Sequence, residues 1–321
     1  MTRIGFVGAG AVARRHADTL RRLGDVDIVG VTDPDESRAR AFGRACGARV
    51  HAGHAGLAAS GVDALYICVP PYAHGPAEFA AVEAGVPFFV EKPLATDLRT
   101  AEEIAERVAE AGLATATGYH WRYLDTVRVA RELLAGREAG LVHCYWLDRV
   151  APPWWWVDRA LSGGQVVEQA THVLDLARLL LGEVEHAYAA AVRHAGNAFA
   201  TRIDDATVAT LRFASGAIGT LASTCLLPCK HRAGLQVFAD GLALDISESE
   251  LVTHAGEDLR HLPADQQAAK TRADRAFIDA VQGRAADIRA PYAEALRTHR
   301  LGCAIAASVA EGRPVTLEEE P

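Results

Sequence analysis

Residues 8–13 read Gly8-Ala9-Gly10-Ala11-Val12-Ala13 and directly follow the apolar run RIGFV at residues 3–7. An apolar run of strand length, two glycines and a helix-forming segment predict a strand, a tight turn and a helix. Each small residue has a task in that geometry. Gly8 permits the turn, Gly10 lets the backbone approach a pyrophosphate, and Ala13 lets the helix pack closely on the sheet. The first helical residues, Ala11 and Val12, offer N–H groups and the positive dipole end to phosphate. Asp33 stands 20 residues beyond Ala13, at the end of the second apolar run DIVGVTD (residues 27–33). A carboxylate there is placed to accept from both adenosine ribose hydroxyls. The stretch therefore predicts a bound dinucleotide. NAD is favoured, because an acid repels a 2′-phosphate, but Arg38 is near enough to keep NADP possible.

The pattern repeats outward from this turn. Strands are predicted at 3–8, 27–33, 49–51, 63–70, 86–93 and 113–118, and helices at 11–23, 36–46, 74–84 and 98–111. Val12, Leu20 and Leu23 are expected to face the core from the first helix. Strands alternating with helices give a parallel sheet with right-handed crossovers, and near-continuous apolar strands mean helices on both faces. After about residue 120 the pattern changes. Helices at 124–135 and 165–181 flank a strand at 141–150. Strands then follow at 185–194, 205–213, 217–226, 234–240 and 242–247, without helices between them. Successive strands joined by turns predict an antiparallel sheet. Helices return at 266–282 and 293–311. The expected division is residues 1–120 and 121–321, with the C-terminal helix a candidate to pack back toward the first domain.

Composition narrows the function. At 321 residues the chain has room for about two domains. Its net charge of −8 excludes the basic stripe a nucleic-acid surface needs. No apolar stretch is long enough to span a membrane, and the N-terminus reads as a first strand, not a signal peptide. The six cysteines form no CxxC and no zinc-ligand spacing, so they read as small buried hydrophobes in a reducing cytoplasm. No metal site is expected. Of 33 basic residues only Lys92, Lys230 and Lys270 are lysines.

Two clusters carry chemistry. Glu91-Lys92-Pro93 follows the strand at 86–93, and ligands of a doubly wound sheet sit beyond the carboxyl ends of strands. An ammonium there can hydrogen-bond a substrate oxygen and stabilise alkoxide character. The second cluster is Glu168, His172 and Asp175, with His172 four residues after Glu168 and Asp175 three after His172 on one helix, and hence on one face. A carboxylate one turn from an imidazole can orient it and raise its basicity. Aromatic segments lie nearby: Tyr119-His120-Trp121-Arg122-Tyr123, and Trp154-Trp155-Trp156 after two prolines. Tyr119 and Trp156 suit the apolar face of a sugar or cyclitol ring, and Arg122 a hydroxyl or carboxylate.

Taken in order, GAGAVA, Pro70 and His74 in VPPYAH, EKP, and GGxxxExxxHxxD resemble the Gfo/Idh/MocA oxidoreductase family over nearly the whole chain. The resemblance implies an α/β Rossmann domain followed by an α+β domain with an open-faced, mostly antiparallel sheet. It implies an NAD(P) cofactor lined by Val69, Pro70, His74, Glu91 and Lys92. It implies further that Lys92 and His172 flank the substrate, with Asp175 binding it. The chain departs from the common pattern at Glu168 (commonly Asp), Ala170 and Gln165 (commonly Gly), and Val69-Pro70-Pro71 (often Thr-Pro-Asn).

The expected reaction is hydride transfer between a nicotinamide and a secondary alcohol or ketone of a sugar, cyclitol or related polyol. His172 would be the general base, with Glu168 orienting it. The same residues also suit redox-assisted elimination or glycosidic cleavage with tightly held NAD, and a dinucleotide-sensing regulator is the non-catalytic alternative. An antiparallel sheet with no helices assigned to one face predicts a homo-oligomer, a dimer or tetramer.

Overall fold

The computed structural model describes residues 1–194 and 202–317. Six strands, β1 (Thr2–Val7), β2 (Val26–Thr32), β3 (Arg49–Val50), β4 (Ala64–Ile67), β5 (Phe88–Val90) and β6 (Thr115–Thr117), form a parallel sheet in the order β3-β2-β1-β4-β5-β6. This is the doubly wound dinucleotide-binding order, with the strand order reversing beside β1. The connecting helices are α1 (Ala11–Leu23), α2 (Glu36–Cys46), α3 (His54–Ala58), α4 (Pro76–Glu83) and α5 (Leu98–Ala111). Asp35 caps α2 and Asp97 caps α5 through side-chain acceptors, while Gly24, Gly47 and Gly112 close α1, α2 and α5 in the left-handed region. The core stacks Phe6, Tyr66 and Phe89 across β1, β4 and β5, with Ala13, Ala17 and Leu20 of α1 against them. Val12 does not join that core. It is 37% exposed, because it lies in the first turn of α1 beside the glycine turn.

Contacts divide the chain into two units, one of residues 1–118 with 270–296, the other of residues 119–269 with 297–321. The division therefore falls inside the two late helices, α9 (Gln266–Val281) and α10 (Tyr292–Glu311), rather than only near residue 120. Segment 270–296 groups with the first unit for a packing reason. Phe277 and Ile278 enter the core of Phe6, Tyr66 and Phe89, and Thr117 N–H donates to Ala290 C=O at 2.9 Å.

Among the described residues the second unit is built on nine strands: β7 (Ala139–Leu147), β8 (Val184–Val192), β9 (Ala206–Phe213), β10 (Ile218–Thr224), β11 (Arg232–Ala239), β12 (Leu242–Ser247), β13 (Glu250–Ala255), β14 (Asp258–Pro263) and β15 (Val315–Thr316). Their order is β14-β13-β12-β11-β7-β10-β9-β8-β15, antiparallel throughout except for the parallel pair β7 and β10. The hairpin of β13 and β14 was not expected, because β14 is almost wholly exposed and lacks apolar alternation. Helices α6 (Asp125–Leu134), α7 (Arg159–Ser162) and α8 (Thr171–Leu181) belong to this unit, as does α10 from residue 297 onward. Helix α8 packs on β7 and β11. Tyr188, Val208, Ile218 and Phe238, on β8 to β11, remain exposed. Residues 166–170 form one π-helical turn leading into α8, where a continuous α-helix was expected. Such turns widen the helix by a residue and recur at functional sites.

Candidate active site

In the first unit the glycine turn is shaped by close packing. Gly8 has φ +92°, and a Cβ there would lie 2.5 Å from the Cys68 carbonyl oxygen, so glycine is required twice over. Gly10 differs: a Cβ on it would meet nothing within 4 Å. Among the described residues no side-chain hydrogen bond caps the α1 N-terminus. Open backbone at an uncapped helix start with no acid in its first turn fits a pyrophosphate. Asp33 has two tasks. Its Oδ2 accepts from Ala9 N–H at 2.8 Å and its Oδ1 from Asp35 N–H at 2.9 Å, so it braces the glycine turn. Each carboxylate oxygen has a second lone pair, which leaves capacity for ribose hydroxyls. Arg38 lies 3.7 Å from Asp33 and donates to Asp35 at 3.3 Å.

Glu91, Lys92 and Pro93 stand just past β5, and the Lys92–Pro93 peptide is cis. Lys92 is half-buried. Glu91 accepts from Arg15 Nη2 and from His16 Nε2, both at 2.9 Å. His16 Nδ1 in turn donates to Asp274 Oδ1 at 2.6 Å. Burial pulls the His16 imidazole down, but Asp274 and Glu91 outweigh it and raise its pKa to about 9. Burial pushes Glu91 up, and His16 and Arg15 reverse this to about 2. His74 and Glu78 are buried together, with His74 Nδ1 2.6 Å from Glu78 Oε1 and Gly75 N–H donating to Glu78 at 2.7 Å. Val69 and Pro70 are half-buried in the segment after β4.

In the second unit His172, in the first turn of α8, is buried in an aromatic box. Its ring centroid lies 5.8 Å from Trp121 and 5.9 Å from Trp146, both near-parallel to it. Tyr119 and His120 meet it edge-on at 5.9 and 5.3 Å. The Tyr119 hydroxyl pairs with Thr171 Oγ1 at 2.7 Å, and burial with Asp175 nearby raises its pKa. Glu168, in the π-helical turn, accepts from Trp156 Nε1 at 2.8 Å. Trp156 is buried, whereas Trp154 is 71% exposed. Asp175 and Arg122 are brought together: Arg122 donates through Nε and Nη2 at 2.8 and 2.7 Å. Thr298 Oγ1 adds a third donor to Asp175 at 2.9 Å. Lys230, which the sequence left without a role, sits 4.9 Å over the Trp146 ring and donates to Glu248 at 2.6 Å. Its scarcity was the available signal. Trp146 and His16 carry no such signal, since each lies within a regular element and no motif singles it out.

Comparison with known proteins bears on these two residue sets. The family described as "Oxidoreductase family, NAD-binding Rossmann fold" (GFO_IDH_MocA) matches residues 2–119, and the "GFO/IDH/MocA C-terminal domain" matches residues 127–241. The chain belongs to the Gfo/Idh/MocA oxidoreductase family. The first unit of this Gfo/Idh/MocA protein carries an NAD-binding Rossmann domain. Inositol 2-dehydrogenase 4 of Saccharopolyspora erythraea is 32% identical over 68% of this chain and 65% of its own length. The chain thus matches about two thirds of that relative. Myo-inositol 2-dehydrogenase of Thermotoga maritima is 27% identical over 68% of this chain and 67% of its own. Among solved structures, levoglucosan dehydrogenase in complex with NADH superposes with a TM-score of 0.88 at 17% identity, covering 99% of this chain and 100% of that one. That likeness shows the family fold over both units.

Proposed function

We propose that this Gfo/Idh/MocA protein is an NAD-dependent dehydrogenase that oxidises a secondary hydroxyl of a cyclitol or sugar, or reduces the corresponding ketone. The observation that carries the reading is the aromatic box around His172, in a chain whose first domain binds NAD. The packed rings fix the plane of the His172 imidazole, and the two curated relatives compared above are inositol dehydrogenases by name.

NAD, when bound, supplies the hydride acceptor. Residues 8–13 would hold its pyrophosphate and Asp33 its adenosine ribose. A negative Asp33 disfavours a 2′-phosphate, which supports NAD over NADP. His172 would take the proton of the reacting hydroxyl, and the Lys92 ammonium would hydrogen-bond the same oxygen as its charge grows. Glu168, held by Trp156, would set the orientation of the helix turn before His172. Arg122 and Asp175, bound to each other, would support the site more than they read the substrate.

The exposed apolar residues of the second sheet, with Val208 at 55% and Ile218 at 58%, favour a homo-oligomer with that face covered. All six cysteines are free thiols, and the compartment proposed from their spacing in the sequence is the cytoplasm. Among the described residues no helix is long and apolar enough to cross a membrane. The test is a screen of cyclitols and monosaccharides with NAD and NADP, followed by absorbance of the reduced nicotinamide. Turnover with NAD on at least one ring polyol is expected, and none across the panel would overturn the reading.

A further inference from the structure

We propose that His16, held between Glu91 and Asp274, is a positioning residue that fixes the Glu91–Lys92 turn against the dinucleotide helix α1. The geometry is specific. One ring nitrogen lies 2.6 Å from an Asp274 oxygen and the other 2.9 Å from a Glu91 oxygen. Both acceptors are carboxylates, so both nitrogens must donate, and only the doubly protonated ring can do so. Tyr66 and Phe89 hold the ring plane from 5.2 and 4.9 Å. A side chain on Gly118 would overlap the Glu91 carboxylate, so the end of β6 completes the clamp.

The groups facing His16 balance. Asp274 comes from α9, Glu91 from the end of β5, and Arg15 from α1 itself, bonded to Glu91 at 2.9 Å. Tyr66 on β4 and Cys68 just beyond it are kept neutral by burial, with Asp274 and Glu91 adding to the effect. Lys92 adds positive charge near Glu91. Two carboxylates therefore face Arg15 and a protonated His16. Loss of the His16 proton leaves buried negative charge uncompensated and one donor missing, so the tie between α1 and Glu91 weakens. Since α1 begins at the glycine turn and Lys92 follows Glu91, cofactor affinity and lysine placement should loosen together. The effect on Lys92 rests on the function proposed above; the effect on cofactor affinity rests only on the NAD-binding domain.

The test uses the full-length protein, with NADH affinity measured by fluorescence from about pH 6 to about pH 10 and the His16 ring followed by NMR of labelled histidine. In the wild type, NADH affinity should be level in mild acid and weaken several-fold through an inflection that coincides with the His16 titration, near 9. Asp274→Asn should move both the inflection and the ring titration down by about one to two pH units. His16→Gln should abolish the inflection and leave affinity weak at every pH. Thermal melts of each variant separate this from unfolding, which would not move an inflection. A wild-type profile without an inflection, or an Asp274→Asn profile with it in the same place, would overturn the proposal. Absence of polyol turnover alongside the expected NADH shifts would defeat the proposed substrate class and leave this inference standing.

Discussion

Arg122 and Asp175 face one another through two parallel hydrogen bonds, Nε to Oδ2 at 2.8 Å and Nη2 to Oδ1 at 2.7 Å, with both side chains almost wholly buried. Thr298 ties to the same carboxylate and accepts from Arg178 at 2.6 Å, so the pair belongs to a buried chain of polar groups. Removing one member strands a charge. Arg122→Met or Asp175→Ala should each destabilise the protein by about 3–5 kcal/mol. Urea unfolding read by tryptophan fluorescence checks this. An unchanged midpoint for Asp175→Ala would show that the pair contributes little to stability.

Lys92→Ala should lower kcat by about 10²–10⁴-fold, the usual range for a positioned proton-handling group. NADH affinity should stay within a few-fold of the wild type. Steady-state kinetics and NADH titration separate the two effects, and undiminished kcat would remove Lys92 from the mechanism.

Asp33 both braces the glycine turn and carries the charge that disfavours a 2′-phosphate. Asp33→Ser should weaken NADH binding by about tenfold, the loss of some 1.4 kcal/mol. It should also narrow the preference for NADH over NADPH, because Arg38 remains. Paired titrations with the two cofactors decide the matter; an unchanged preference would show that Asp33 does not read the ribose.

The His16–Glu91 clamp predicts a pH profile of stability. His16 is raised from 6.5 to about 9, so its contribution is complete below 6.5 and is lost as pH rises through 9. Glu91 is lowered from 4.5 to about 2, so its contribution is complete above 4.5 and is lost as pH falls through 2. Stability should therefore be highest in mildly acidic solution. The alkaline fall should amount to about 3 kcal/mol, shared between the coupled groups rather than added for each. Thermal melts across pH measure it, and in His16→Gln the alkaline fall should largely vanish.

The first unit was legible because its elements are local signals. Alternating apolar runs and helices place six strands, and the spacing from Ala13 to Asp33 places the acid at the end of β2. The aromatic box was half legible. Motif position points to Tyr119 and His172 as candidates, but Trp146 lies on a strand whose apolar pattern gives no hint of its neighbour. Asp175 shares a helix with His172, as its spacing requires. Its partner Arg122 is 53 positions away, so local periodicity could not pair them.

Local order thus settles which elements form, which faces they present and where the dinucleotide turn lies, since turn chemistry and periodicity act over a few residues. The sequence alone was enough for the glycine turn of residues 8–13, the change to antiparallel strands, and the helix carrying His172 and Asp175, but not for the π-helical turn that holds Glu168. Tertiary structure alone decided that α9 returns to the first sheet, that His16 meets Asp274 across 258 positions, and that Asp175 is engaged by Arg122 and Thr298. Burial and charge pairing depend on distance in space, and a buried carboxylate takes whichever donors folding brings within reach.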